Sequence, residues 1–215
     1  MKRAIILANG IPPRKALLKK ARQLAGLFVC ADGGANNAAV LGERPDLIIG
    51  DLDSIKSSTV RAFKSVTTRR IADQNSTDLE KALTWIVRKN YTDIDVFGAL
   101  GGRVDHLTGN LSALGKFARS ARIRFVDNDG VIMPVRSELI FDARPGTTVS
   151  LLPLSRCEGI VTEGLKWELR NGILELGVRE STSNEVRSGP VRIRVRRGSL
   201  LLFLMINPLN LYDGG

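Results

Sequence analysis

The sequence predicts an α/β fold: a parallel-sheet, three-layer N-terminal domain followed by an all-β sandwich. Three observations carry this expectation. From residue 3 to residue 127, short apolar runs of strand length alternate with stretches whose apolar residues recur at helical spacing. Several of those runs close on glycine and aspartate, as strands do where an open α/β sheet meets a ligand. Beyond about residue 128, glycine and proline punctuate short β-branched or leucine-rich segments that show no helical stripe. The boundary falls near residues 128 to 136, giving domains of residues 1–130 and 131–215.

Taken in order, residues 3 to 8 form an apolar strand, and Leu17, Leu18, Ala21, Leu24 and Ala25 mark a helix over 14–25. Leu27 to Ala31 is a second strand. It runs into Asp32-Gly33-Gly34-Ala35-Asn36, a tight turn before a helix, which is either a plain connection or a place where backbone approaches an anion. Leu47-Ile48-Ile49 is a buried strand ending in Gly50-Asp51-Leu52-Asp53-Ser54. If the backbone stays extended through Leu52, Asp51 and Asp53 point the same way, a pair suited to Mg²⁺. A loop in which aspartates only bond nearby backbone is the alternative. A helix over 56–64 and a strand over 66–70 follow. Thr77 with Glu80 then fits a capping box ahead of the stripe Leu79, Ala82, Leu83, Ile86 and Val87, so Asp78 reads equally as a first-turn acid or as a ligand. Ile94 to Gly98 is a strand. It leads through Gly101-Gly102-Arg103-Val104-Asp105-His106 into a helix marked by Leu107, Leu111, Leu114 and Phe117. Arg103 there either neutralises phosphate or pairs with Asp105. Residues 122 to 127 make the sixth strand.

Composition narrows the chemistry. The chain has 215 residues, 43% of them hydrophobic, and no apolar run approaches the roughly eighteen residues of a membrane span, so a cytoplasmic protein with no membrane partner is expected. Cys30 and Cys157 have no Cys-x-x-Cys partner, and His106 is the only histidine. Zinc sites, disulfide frameworks and histidine triads are thereby disfavoured, leaving carboxylates, metal and backbone. The net charge of +10 permits polyanionic partners. Arg192, Arg194 and Arg196 alternate with apolar residues, which describes a solvated basic face or an anion surface. A nucleic-acid partner is not expected, because clustered acids repel phosphate unless a metal intervenes.

A doubly wound sheet brings the strand ends to one edge, gathering Asp32, Asp51, Asp53, Asp78, Arg103 and Asp105. Such acids repel one another unless cations balance them, so the set itself argues for Mg²⁺ and a phosphate-bearing substrate.

With these motifs in order, Ala31-Asp32-Gly33-Gly34-Ala35-Asn36, Gly50-Asp51-Leu52-Asp53-Ser54, Asp73-Gln74-Asn75-Ser76-Thr77-Asp78 and Gly98 to Asp105, the chain resembles the thiamine pyrophosphokinase family. The resemblance continues through Glu163-Gly164-Leu165-Lys166-Trp167 and Ser181-Thr182-Ser183-Asn184. It implies an ATP-binding catalytic domain over 1–130, a thiamine-binding sandwich over 131–215, and a homodimer with active sites at the subunit interface. It further implies transfer of the β,γ-pyrophosphoryl group of ATP to the hydroxyl of thiamine, giving thiamine diphosphate and AMP. Asp51, Asp53 and Asp78 would hold Mg²⁺ and, with Arg103, form the catalytic set. Asp32, Gln74 and Asp105 would contact nucleotide or phosphates, and Ser183 and Asn184 the aminopyrimidine. Trp167 belongs either to the thiamine site or to the sandwich core. A pyrophosphokinase acting on another alcohol, such as a hydroxymethylpterin, is the competing reading; it would retain the acids and lose the motif at Ser181 to Asn184.

Overall fold

A computed structural model describes residues 1–212 of the chain. Six parallel strands, β1 Arg3–Leu7, β2 Leu27–Ala31, β3 Leu47–Gly50, β4 Thr67–Arg70, β5 Asp93–Phe97 and β6 Arg122–Val126, lie in the order β6-β5-β1-β2-β3-β4. Between them run α1 Lys15–Leu24, α2 Gly34–Leu41, α3 Ser57–Ala62, α4 Asp78–Arg88 and α5 Val104–Phe117. β3 and β5 are buried at every position, and β1 and β2 from their second residue onward. That is what strands covered on both faces require, and it explains why their sequences read as apolar runs. β4 is exposed throughout, and its Thr-Thr-Arg-Arg sequence places charge on the sheet edge, which discourages further strand pairing.

The order reverses beside β1. Strands β2 to β4 grow outward on one side, and the chain then returns to place β5 and β6 on the other. Ligand crevices of open α/β sheets form at such a switch, outside the carboxyl ends of the strands. α4 carries the next most useful constraint. Leu79, Ala82, Leu83 and Ile86 are buried, and the helix packs against β2 and β3. At about 1.5–3 kcal/mol for each large aliphatic side chain fully buried, this stripe holds the helix down. The capping box, in which Thr77 Oγ1 accepts from Glu80 N–H and Glu80 accepts from Thr77 N–H, is worth about 1 kcal/mol and fixes where the helix begins. Asp78 is thereby set at the first helical residue.

By its contacts the chain divides into two compact units. The first comprises residues 1–113, 120–128 and the closing 3₁₀ turn Pro208–Tyr212; the second comprises residues 114–119 and 129–207. The second is an antiparallel sandwich. β7 Val131–Val135, β9 Thr148–Pro153, β12 Ser181–Glu185 and β14 Leu200–Leu204 form one layer in the order β12-β9-β14-β7. β8 Glu138–Phe141, β10 Cys157–Glu163, β11 Gly172–Leu174 and β13 Val191–Arg194 form the other, in the order β11-β10-β13-β8. The arginine stripe lies partly on β13. Arg192 and Arg194 each pair with Glu138 at 2.8 Å and reach Glu163 at 3.4 and 3.7 Å, so the stripe is a face of cross-strand ion pairs. Among the described residues, no helix is long and apolar enough to cross a membrane.

Candidate functional site

Three strand ends and one helix start build the site in the first unit. Asp32 follows β2 with a left-handed backbone, φ 41°, and its side chain is turned inward, leaving the residue 4% exposed. The turn beneath it needs glycine: a Cβ on Gly34 would stand 2.0 Å from the Leu7 carbonyl oxygen. Asn36, on α2, fastens the next loop. Its Nδ2 donates to Ser54 O at 2.9 Å, and its Oδ1 accepts from Lys56 N–H at 3.0 Å and Thr59 Oγ1 at 2.8 Å.

The acids converge, though not in the expected pairing. Asp32, Asp51 and Asp78 each offer one oxygen within 4.8 Å of the other two. Asp53 lies outside this group. The backbone does not stay extended after Asp51, because Leu52 adopts φ 70°, and the rule that alternate side chains share a side fails there. Asp53 instead turns its N–H toward Asp51 Oδ1 at 3.4 Å and accepts from the Ser54 hydroxyl at 2.9 Å. Gly50 keeps the group open. A Cβ there would come within 2.7 Å of Asp32 Cβ and 3.1 Å of Asp78 Oδ1.

The electrostatics of the triad are unbalanced. Burial pushes the Asp32 carboxyl above the ordinary carboxylate range; hydrogen bonds from Ser54 and Gly33 pull it back, and the charges of Asp78 and Asp51 push it up again. Its Oδ1 is buried and has no hydrogen-bond partner. Among the described residues, one cation pairs with the triad, through two of its acids. Lys81, three residues along α4 and buried, places Nζ 2.9 Å from Asp78 Oδ1 and 3.9 Å from Asp51 Oδ2. Sequence reading missed Lys81; the available signal was a charged residue inside the apolar stripe of α4, at the i+3 position from Asp78.

Asp32 and Asp78 line a crevice of about 480 Å³ that extends from Gly10 past Gly98 to Arg103, Asp105 and His106, at the switch between β1 and β5. Arg103 and Asp105 form a bidentate pair, with Nε to Oδ1 at 3.1 Å and Nη2 to Oδ2 at 2.6 Å, and both are exposed. The guanidinium holds the Asp105 carboxyl down to about 2. Gln74 sits in the exposed turn that Asp73 ties together, accepting from Asn75 N–H at 2.9 Å and the Ser76 hydroxyl at 2.6 Å.

In the second unit, Trp167 is 58% exposed, which overturns the reading of it as a core tryptophan. Lys166 Nζ lies 4.7 Å from its ring centroid. Asn184 is buried and committed to this segment: its Nδ2 donates to Trp167 O at 2.7 Å, and its Oδ1 accepts from Trp167 N–H at 3.1 Å and Glu185 N–H at 2.8 Å. Both ends of its carboxamide are thus engaged within the chain. Ser183 has φ 56° and an exposed side chain, with its N–H donated to Ser150 Oγ at 2.9 Å.

Comparison with known proteins settles the family. Residues 18–126 match the model of the thiamin pyrophosphokinase catalytic domain, and residues 136–200 that of its vitamin B1 binding domain. The chain belongs to the thiamine pyrophosphokinase family of enzymes. Among its relatives, thiamine pyrophosphokinase 1 of Oryza sativa subsp. japonica is 32% identical over 88% of this chain and 82% of its own length. The thiamine pyrophosphokinase of Bacillus subtilis is 28% identical over 82% and 86%. The crystal structure of yeast thiamin pyrophosphokinase shares the fold, with a TM-score of 0.84 at 20% identity over all of this chain and 89% of that one. Within the family's two matched regions, the acidic triad falls in the catalytic part and Trp167, Ser183 and Asn184 in the vitamin-binding part.

Proposed function

We propose that this enzyme transfers the β,γ-pyrophosphoryl group of ATP to the hydroxyl of thiamine, releasing thiamine diphosphate and AMP. The observation that carries the reading is the triad of Asp32, Asp51 and Asp78 beside the switch-point crevice, in a chain of this family. The residues fit a hard divalent cation such as Mg²⁺. A buried carboxylate oxygen without a partner, two further oxygens within reach and a glycine that leaves the space open are what such an ion needs. When bound, the cation supplies charge neutralisation for the transferring group. Asp53, exposed two residues beyond Asp51, is retained as a further donor to the metal and substrate complex.

The protein's own groups account for the remaining demands of the reaction. Arg103 stands in the crevice with an exposed guanidinium that can leave Asp105 for a phosphate, since an exposed ion pair is worth only about 0–1 kcal/mol. Asp105, acidic at about 2, stays ionised and takes the arginine back after release. Gln74 in its exposed turn would meet the nucleotide. Trp167 presents an indole face for an aromatic ring such as that of thiamine, with Ser183 beside Asn184 offering a hydroxyl, and Asn184 keeps the Trp167 backbone in place. We assign the thiamine role to the 131–215 domain and the ATP role to 1–130, in a homodimer with the active site completed between subunits. Two buried free thiols, Cys30 and Cys157, accord with a reducing compartment such as the cytoplasm.

A phosphorus NMR time course of ATP with thiamine and Mg²⁺ tests the reaction. AMP and thiamine diphosphate should appear together, and both should vanish with Asp51→Asn. Formation of ADP would mean a monophosphoryl kinase instead. Sedimentation of the full chain tests the dimer.

A further inference from the structure

We infer that Lys81 is a built-in counter-cation of the acidic triad, a positioning residue that leaves the site with the charge of one divalent ion. The inference rests on the metal reading above. Lys81 is 6% exposed, and a buried ammonium is found only where it is paired. Its partners are two of the three triad carboxylates, Asp78 at 2.9 Å and Asp51 at 3.9 Å. Three negative charges against one positive leave two, which a single divalent cation balances. Lys81 is buried on a helix whose start the capping box fixes, which restrains where the ammonium can lie.

Its direction of approach separates this role from phosphate binding. Lys81 lines a second cavity, of about 540 Å³, together with Arg88 and Lys89 at the end of α4 and Arg69 of β4. Arg103, Asp32 and Asp78 line the other cavity. Lys81 therefore reaches Asp78 and Asp51 from a different side than the crevice that holds Arg103.

The test replaces Lys81 by a neutral residue of similar length and reads metal binding directly. In Mn²⁺ titrations followed by electron paramagnetic resonance, without ATP or thiamine, K81M should bind Mn²⁺ about tenfold more tightly than the parent or better, since a charge within 4 Å of the site is removed. Without metal it should melt at lower temperature, and adding D78N, which removes the surplus carboxylate, should restore the loss. An unchanged or weaker Mn²⁺ affinity in folded K81M would overturn the inference. If K81M does not fold without metal, recovery with millimolar Mn²⁺ or on adding D78N supports the role, and recovery with neither overturns it. A parent protein that binds no Mn²⁺, in which D78N likewise changes nothing, would instead remove the metal reading itself.

Discussion

The first unit holds two clusters of aspartates, and they are balanced in opposite ways. On β5, Asp93 and Asp95 are surrounded by cations. Asp93 accepts from Arg3 Nε at 2.8 Å and from Arg122 Nε and Nη2 at 2.9 Å, while Asp95 accepts from Arg124 Nε at 2.7 Å and the Tyr212 hydroxyl at 3.0 Å. Two carboxylates face three guanidiniums. At the strand ends, Asp32, Asp51 and Asp78 share one ammonium, and an Asp32 oxygen has no partner at all. The same residue type thus serves two purposes. The cation-rich cluster fastens strands together, and the cation-poor one stores an attraction for something that arrives later.

Breaking the cation-rich cluster should cost the most. Arg124→Met leaves Asp95, fully buried, with only the Tyr212 hydroxyl, and should lower unfolding free energy by about 3–5 kcal/mol in urea titrations. Asp78→Asn in the other cluster should act mainly on turnover. Turnover should fall by about 10²–10³-fold in the phosphorus NMR assay, through lost stabilisation of the transferring group. The melting temperature without metal should fall less than for Arg124→Met, since Lys81 keeps Asp51 at 3.9 Å while the repulsion among the acids is relieved. A metal-free protein destabilised as strongly as by Arg124→Met would erase the distinction between the clusters.

Smaller effects sharpen it. Tyr212→Phe removes one hydrogen bond to Asp95 and should cost about 1–3 kcal/mol, read from thermal melts. Acid should also separate the two aspartates of β5. Burial alone would raise the Asp93 carboxyl, but hydrogen bonds from Arg122 and Arg3, helped by the charge of Arg124, hold it below its ordinary 3.8. Its contribution is therefore complete above that value and disappears as pH falls through the lower folded-state pKa. Asp95 is shifted upward by burial despite Arg124, so it acts with the opposite sign: its protonation favours the fold at low pH, and that contribution is lost as pH rises. Unfolding free energies measured from pH 5 down to 2 should fall less steeply for Asp93→Asn than for the parent.

What could be read from the chain beforehand divides along the same line. Strand ends, the capping box at Thr77 and the gathering of acids at one sheet edge follow from local pattern and the geometry of parallel sheets, and were legible. The turn at Leu52 was not, because a leucine gives no hint of a left-handed backbone. Hence Asp32, rather than Asp53, joins Asp51 and Asp78 in the triad. Lys81 was hidden because a charge within an apolar stripe reads as an interruption unless its partner is known. Asn184 and Trp167 could be flagged as a motif, but which way the indole faces, and that the carboxamide is engaged by Trp167 backbone, depends on contacts seventeen residues apart. The Asp95–Tyr212 bond spans 117 residues and leaves no trace in any periodicity.

That last bond has a bearing on how the molecule is made. The second unit is inserted within the first, so Tyr212 leaves the ribosome only after residues 129–207 have been synthesised. At about 5–20 residues per second, the nascent β5 and β6 wait several seconds for the phenol that caps Asp95. During translation the sandwich therefore has all of its chain before the nucleotide-type sheet has all of its own. The order of completion is the reverse of the order of synthesis.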